Sequence, residues 1–311
     1  MTLIEMSPLN RAVPLFGDFA SDWMRDSAPQ WKSSYQETVR CTMDLWILPT
    51  FATWPLDRID RGALLQYRAA VHAHTRRPTP ASVNKIMSVL RACLAEAARR
   101  FDLQPMQQLK PLREIGRDIA PFSLEEVERL LLTARDPWRD YYTVRIFTGM
   151  RTGEIDGLKW KYVDFDRRQI LVRETVVKGL PDSTKTSSSE RSIDIAPRVY
   201  DALVRQHRRT GERGGYVFCA ANGSPLRHGN MRKRVWLPLL EDARLAPRRQ
   251  YEARHTYATL MLAAGENPEY IRRQMGHVDA QMLFSVYSRY VPNLTRRDGS
   301  AFQALVESAD A

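Results

Sequence analysis

Arg151 stands between two glycines in the run Thr148-Gly149-Met150-Arg151-Thr152-Gly153-Glu154, just ahead of a predicted helix start. Glycine lets backbone approach a ligand closely. A guanidinium beside a helix N-terminus adds to a local positive potential that suits a phosphate. A second group is Tyr251-Glu252-Ala253-Arg254-His255-Thr256. On a helix Tyr251 and Arg254, three apart, share a face and offer a hydroxyl and a planar fork to a phosphate; His255, one position on, points elsewhere. A third group is Gly276-His277, with Tyr287 ten and Tyr290 thirteen residues beyond His277. The fourth is Lys185, in the polar stretch 183–191. A Lys on a flexible hairpin reaches a ligand as a proton donor. Taken singly, each group also has a plain reading: a glycine turn, a capped helix start, a packed His and Tyr pair, a solvated loop.

The composition narrows the ligand. Lys and Arg number 47 against 36 Asp and Glu, a net charge of +11, and most of the cations are Arg. Such a balance is the footprint of a nucleic-acid binder, with a solubilising surface as the other reading. The 43% hydrophobic and 27% charged residues exclude a wholly disordered chain. Cys41, Cys93 and Cys219 are too few and scattered for a disulfide framework or a zinc site, so a reducing compartment is the default. The six His and the acids show no HExxH-type spacing, which argues against a metallohydrolase. Neither an apolar signal segment nor a membrane-length apolar run is present, and no membrane partner is expected.

The elements that must hold these residues are mostly helical. Residues 17–24, 31–45, 61–73 and 81–100 read as four helices separated by Pro-bearing breaks. In the last, Val83, Ile86, Val89, Leu90, Cys93, Leu94 and Ala97 form an apolar stripe at helical spacing. A linker with Pro105, Pro111, Gly116 and Pro121 follows, and Ser123 with Glu126 gives a capping-box pattern for the next helix. Residues 163–165, 169–177 and 191–195 read as three short strands, with a polar loop over 178–190. Helical patterns return from 197 onward. The fold class is therefore mainly α, a small helical domain followed by an α-rich domain with a small three-stranded antiparallel sheet. The expected boundaries are a tail at 1–14, a helical domain at 15–103, a linker at 104–121, a second, α-rich domain at 122–291, and a tail at 292–311.

In this order and spacing the four groups resemble the tyrosine recombinase (phage-type integrase) family. The resemblance runs from about residue 15 to 306 and rests on Thr-Gly-x-Arg-x-Gly-Glu at 148–154, Thr-Lys-Thr and Arg-Ser-Ile within 184–193, Arg-His-Thr at 254–256, Gly-His at 276–277 and the terminal Tyr. Residues 15–103 resemble the family's core-type DNA-binding domain, and residues 122–291 its catalytic domain. The family usually has His where Tyr251 stands, so a His-based proton role does not carry over, although Tyr251 can still bond the phosphate. Gly-His and the nucleophile are commonly nine residues apart in the family. Tyr287, ten after His277, is preferred over Tyr290 because Tyr-Ser-Arg resembles the segment after the family's nucleophile.

The resemblance implies DNA strand transesterification. Tyr287 attacks a scissile phosphate, forms a 3′-phosphotyrosyl bond and releases a 5′-hydroxyl, conserving the phosphodiester energy for rejoining, so the resemblance implies no ATP, metal or other cofactor. Arg151 and Arg254 clamp the nonbridging oxygens and His277 donates a further hydrogen bond. Lys185 protonates the leaving oxygen, Glu154 orients the site, and the cations favour phenolate character in Tyr287. Arg232, Lys233, Arg234, Arg248 and Arg249 are candidate phosphate contacts on double-stranded DNA. The family's two domains clamp the duplex, and four protomers exchange strands through a Holliday junction in the cytoplasm of a bacterial or phage-infected host. The 292–311 tail, with Leu294, Phe302, Leu305 and Val306, then either docks on a neighbouring protomer or packs in cis. Residues 1–14 are too few for the extra arm-binding domain of many phage integrases, which points to simple core sites or a trimmed chain and makes an accessory DNA-bending protein less secure. Two alternatives share parts of this reading: type IB topoisomerase-like relaxation, and a nonenzymatic DNA-binding regulator on the same fold.

Overall fold

A computed structural model of the 311-residue chain describes residues 12–104, 109–114, 116, 118–177, 179–183, 190–213, 215–277, 281–287 and 307. Lys185, Tyr290 and nearly all of the 292–311 tail lie outside the described residues. The chain divides into two compact units, Met1–Arg117 and Asp118–Ala311.

Among the described residues, the regular elements of the first unit are all helical. Its elements are α1 (Phe16–Ser27), α2 (Ser33–Thr42), α3 (Leu48–Phe51), α4 (Arg61–Ala73) and α5 (Pro80–Phe101). A π-helical turn at Met43–Ile47 joins α2 to α3, so the second predicted helix runs on past residue 45. The cause is Pro49. It lacks an N–H and its ring would clash with the carbonyl four residues back, and a wider turn just before it relieves both demands. Local signals set the other starts. The Asp60 side chain accepts from Ala63 N–H at 2.7 Å, and the Thr79 hydroxyl accepts from Ser82 N–H ahead of Pro80. All seven residues of the α5 stripe are buried, packed with Phe16, Trp23, Val39, Phe51 and Leu64. Each Val, Leu or Ile among them contributes about 1.5–3 kcal/mol by leaving water.

The second unit contains α6 (Leu124–Thr133), α7 (Trp138–Thr148), α8 (Thr152–Asp156), α9 (Pro197–Thr210), α10 (His228–Met231), α11 (Leu237–Asp242), α12 (Glu252–Ala263), α13 (Pro268–Met275) and α14 (Gln281–Tyr287). The Ser123 capping box forms in both directions, with Glu126 N–H on the Ser123 hydroxyl and Ser123 N–H on the Glu126 carboxylate. Helix α7 is buried on nearly every side, as befits a central helix. Around it pack Leu130, Val199, Phe218 and Trp236. Between α8 and α9 lie β1 (Val163–Asp164), β2 (Gln169–Val172), β3 (Glu174–Val177), β4 (Leu180–Ser183) and β5 (Arg191–Asp194).

The three-stranded antiparallel sheet has the order β1-β2-β5, with Ile170 opposite both Val163 and Ile193. Ile170, Val172 and Ile193 turn into the core, the period-two pattern of a half-buried sheet. The predicted strand 169–177 is divided at Arg173. Its guanidinium donates to the carbonyls of Val172 and Arg191, closing the end of the sheet. Beyond it β3 pairs locally with β4, which occupies part of the run read from sequence as a loop. Among the described residues no helix is long and apolar enough to cross a membrane.

Candidate active site

The site is assembled on the C-terminal end of α13. Three successive carbonyls there are each held by an arginine from a different element. Arg191, opening β5, donates to Gln274 O at 2.6 Å. Arg254, on α12, donates to Met275 O at 2.7 Å. Arg151, just before α8, donates to Gly276 O at 2.7 Å. The last carbonyls of a helix lack intrahelical donors and carry its negative dipole end, so three cations are a natural complement. The next residue is His277. The contacts therefore fix Arg151, Arg254 and His277 against one another, three residues that the sequence placed 103 and 23 positions apart.

Two glycines make this possible. Gly149 ends α7 in a left-handed conformation (φ +60°), and its carbonyl accepts from Arg254 at 2.6 Å. A Cβ there would lie 2.5 Å from the Tyr257 ring. Gly276 ends α13 at φ +65°, and a Cβ would meet the Arg191 side chain at 3.0 Å. A residue with a side chain would incur backbone strain at both positions and, at Gly149, a clash with the Tyr257 ring.

Glu154 is the counter-ion of the cluster. Its carboxylate accepts from Arg151 Nη1 and main-chain N–H, both at 2.8 Å, and from both terminal nitrogens of Arg191 at 3.0 and 2.8 Å. Burial alone would raise its pKa, but the Arg191 bonds and the two guanidinium charges outweigh it and hold the carboxyl down to about 2. Glu154→Gln keeps the shape and removes the charge, stranding two cations. We expect it to cost about 3–5 kcal/mol at pH 7. Because the folded-state pKa is depressed from 4.5 to about 2, the charged pairing stabilises the protein fully above pH 4.5 and is lost as pH falls toward 2. Denaturant unfolding across that window should therefore show wild type losing stability more steeply than the variant. Equal pH dependence in both would contradict the assignment.

The remaining electrostatics favour an anion. Arg254 is 2% exposed, and burial, with help from Arg151 and Arg191, lowers its pKa from 12.5 to about 10. Among the described residues, its Nε and His277 Nδ1 are buried without a hydrogen-bond partner. Burial and the same three arginines push His277 down to about 3, so its ring is neutral at pH 7 and keeps one N–H to donate. A buried Arg254 N–H and a buried His277 ring nitrogen, both unsatisfied among the described residues and set amid like charges, are an environment a phosphate would relieve.

Behind the cluster, Arg145 of α7 is fully buried. It donates to the Thr152 hydroxyl at 2.7 Å, to Gln250 O at 3.3 Å and to the Tyr141 hydroxyl at 2.9 Å, while Tyr141 donates to Asp156 at 2.7 Å. One side chain thus ties the residue after Arg151 to the residue before Tyr251.

Tyr287, on α14, is 2% exposed and packs with Tyr257, Leu262, Met275 and Leu283. The sequence predicts phenolate character here, and the structure reverses that. Burial pushes the phenol up to about 12 despite the opposing charge of Arg254. The hydroxyl lies 2.9 Å from His255 Nδ1. The three-residue spacing of Tyr251 and Arg254 leaves His255 pointing elsewhere, and the structure corrects this. The four-residue spacing also puts Tyr251 and His255 on one face, and their rings meet edge-on at 5.1 Å. Tyr251 itself is 41% exposed at the start of α12. Arg191 is the other residue that sequence reasoning misses; its only signal is its place in the Arg-Ser-Ile strand.

The candidate DNA contacts divide. Arg232, Lys233 and Arg234 are exposed on a π-helical turn. Arg249 is half-exposed and pairs with Glu252 at 2.8 Å. Arg248 serves the fold instead. It forks onto Glu126 at 2.7 Å through both terminal nitrogens and lies over the Phe122 ring, 4.4 Å from its centroid. It anchors the start of α6, and this replaces its reading as a phosphate contact. Lys185 and Tyr290 fall outside the described residues.

Residues 122–293 match the phage integrase family, and the chain belongs to that family. It is 28% identical over 214 residues to IntQ of Escherichia coli strain K12, described as a defective protein, covering 60% of this chain and 54% of IntQ. The chain thus spans about half the length of that relative. It is 21% identical over 321 aligned positions to the prophage integrase IntR of the same strain, covering 91% of this chain and 78% of IntR. In fold it resembles the Tn1549 transposon integrase bound to a circular intermediate DNA, with a TM-score of 0.77 at 18% identity over 95% of this chain and 99% of that one. A lambda integrase tetramer bound to a Holliday junction gives 0.70 at 15% identity over 92% and 79%.

Proposed function

We propose that this protein is a site-specific DNA recombinase that cleaves and rejoins strands of double-stranded DNA through a covalent 3′-phosphotyrosyl intermediate and a Holliday junction. The observation that carries this reading is the convergence of Arg151, Arg254 and His277 on one helix end, beside a tyrosine. In it, Arg151 and Arg254 hold the nonbridging phosphate oxygens, and His277 and Tyr251 add hydrogen bonds. Tyr287 attacks, and Lys185 protonates the leaving 5′-oxygen. Glu154 and Arg191 hold the geometry. Guanidinium groups stabilise the charge that develops on the phosphate as it passes through five-coordination. Arg232, Lys233, Arg234 and Arg249 contribute contacts to the DNA backbone, which position the duplex without reading its sequence. The active assembly is a homotetramer on two DNA sites, acting in the cytoplasm. The fold likeness to a lambda integrase tetramer on a Holliday junction supports that assembly.

The test is strand exchange between two labelled duplexes drawn from DNA flanking the gene, in EDTA and without ATP. Recombinant duplexes and four-way junctions are the expected products. Relaxation of supercoiled plasmid with no exchange would assign the protein to type IB topoisomerase chemistry. Site-specific binding without cleavage would make it a regulator.

A further inference from the structure

We propose that His255 is the proton acceptor for Tyr287, its Nδ1 taking the phenolic proton as the hydroxyl attacks DNA. This rests on the reading of Tyr287 as the nucleophile. The direct observation is the 2.9 Å approach of Nδ1 to the Tyr287 hydroxyl. A general base must lie within hydrogen-bond reach of the proton it removes, and this distance satisfies that. The chemistry also demands one. The buried phenol is pushed up to about 12, so at neutral pH it enters the reaction with its proton. Tyr251 sits where a histidine would otherwise be expected, and a phenol there is a poor base near neutrality.

The surroundings of His255 suit the role. Burial, Arg249 and Arg254 lower its pKa below 6.5, while Glu252 opposes them. His277 and the Tyr287 phenol also face it. The imidazole is therefore neutral above that value, with Nδ1 open to accept when the ring proton is on Nε2. The Tyr251 ring meets it edge-on and restrains its tilt. In the forward step the Tyr287 proton passes to Nδ1, the phenolic oxygen bonds to phosphorus, and the phosphorus–O5′ bond breaks. The O5′ leaves with a proton from Lys185. On rejoining, the 5′-hydroxyl returns its proton to Lys185, and the imidazolium returns the other to Tyr287, so protons balance over the cycle.

The experiment measures single-turnover adduct formation by the full chain on nicked duplexes carrying the cleavage site mapped with wild type. One duplex has an ordinary scissile phosphate and the other a 5′-bridging sulfur, whose thiolate leaves without protonation. His255→Asn keeps a side-chain acceptor but cannot take a proton at neutral pH. His255→Ala removes both functions. We expect both variants to bind DNA like wild type and to cleave about 10²–10⁴-fold more slowly. The deficit should be the same on oxygen and sulfur duplexes, whereas Lys185→Ala should recover on sulfur. Raising the pH should restore cleavage by His255→Asn, and wild type alone should show an acid limb below pH 6.5. Wild-type cleavage by His255→Asn would overturn the proposal, as would full recovery of either His255 variant on the sulfur duplex. Tyr287→Phe run alongside separates the two levels: an adduct there would refute the nucleophile, not only its base.

Discussion

Tyr287→Phe is expected to bind DNA as tightly as wild type and to form no covalent adduct. The substitution removes one oxygen. It also removes the contact with His255, an ordinary hydrogen bond worth about 0.5–1.5 kcal/mol, so the fold should survive. Phenylalanine fills the same space beside Leu262, Met275 and Leu283. The lost oxygen is, on this account, the atom that bonds to phosphorus, and no neighbour can replace it. Denaturing gels of protein incubated with nicked duplexes read the outcome. Tyr290→Phe is the matched control and should retain adduct formation. Loss of the adduct in Tyr290→Phe, with retention in Tyr287→Phe, would move the nucleophile three residues along.

Arg254→Lys should give the second largest effect, a fall of about 10²–10³-fold in adduct formation with DNA binding nearly unchanged. Arg254 uses its two terminal nitrogens on the carbonyls of Gly149 and Met275 and keeps Nε unpaired. Lysine preserves the charge but offers a single point in place of the planar fork. Its three N–H groups radiate from one nitrogen, so it does not reproduce the separated donors that the fork places on the two carbonyls and toward a phosphate. Leaving a buried carbonyl unpaired costs about 1–3 kcal/mol, so some loss of thermal stability should accompany the kinetic loss. Adduct rates and melting temperatures measured on the same preparation separate the two effects. A fully active Arg254→Lys protein would show that charge alone is required there.

Much of this site is legible in the chain itself. The glycines around Arg151, the Arg254 helix and the Gly-His step are local patterns; the structure keeps the first two on the elements expected and puts the third at the end of α13. The α5 stripe and the Ser123 capping box are equally local and appear as read. What escapes depends on contacts between distant segments. Nothing near Arg191 in sequence announces that it will share Glu154 with Arg151. Arg248 reads as a surface cation because its partner, Glu126, lies 122 residues away. The phenolate expectation for Tyr287 fails for a related reason: charge is visible in sequence, whereas burial is not, and burial dominates. His255 is different. Its spacing from Tyr251 is plain in the chain, but the pairing with Tyr287 arises only when α14 packs on α12. The division of the long strand at Arg173 likewise requires knowing which carbonyls lie at the sheet's end.

The most direct test of the account is to trap the wild-type adduct on a nicked duplex, digest both protein and DNA, and locate the nucleotide by tandem mass spectrometry. The account predicts a 3′-linked nucleotide phosphate on the hydroxyl of Tyr287, formed in EDTA and without ATP. A modified residue other than Tyr287, or a linkage through the 5′-phosphate, would contradict it.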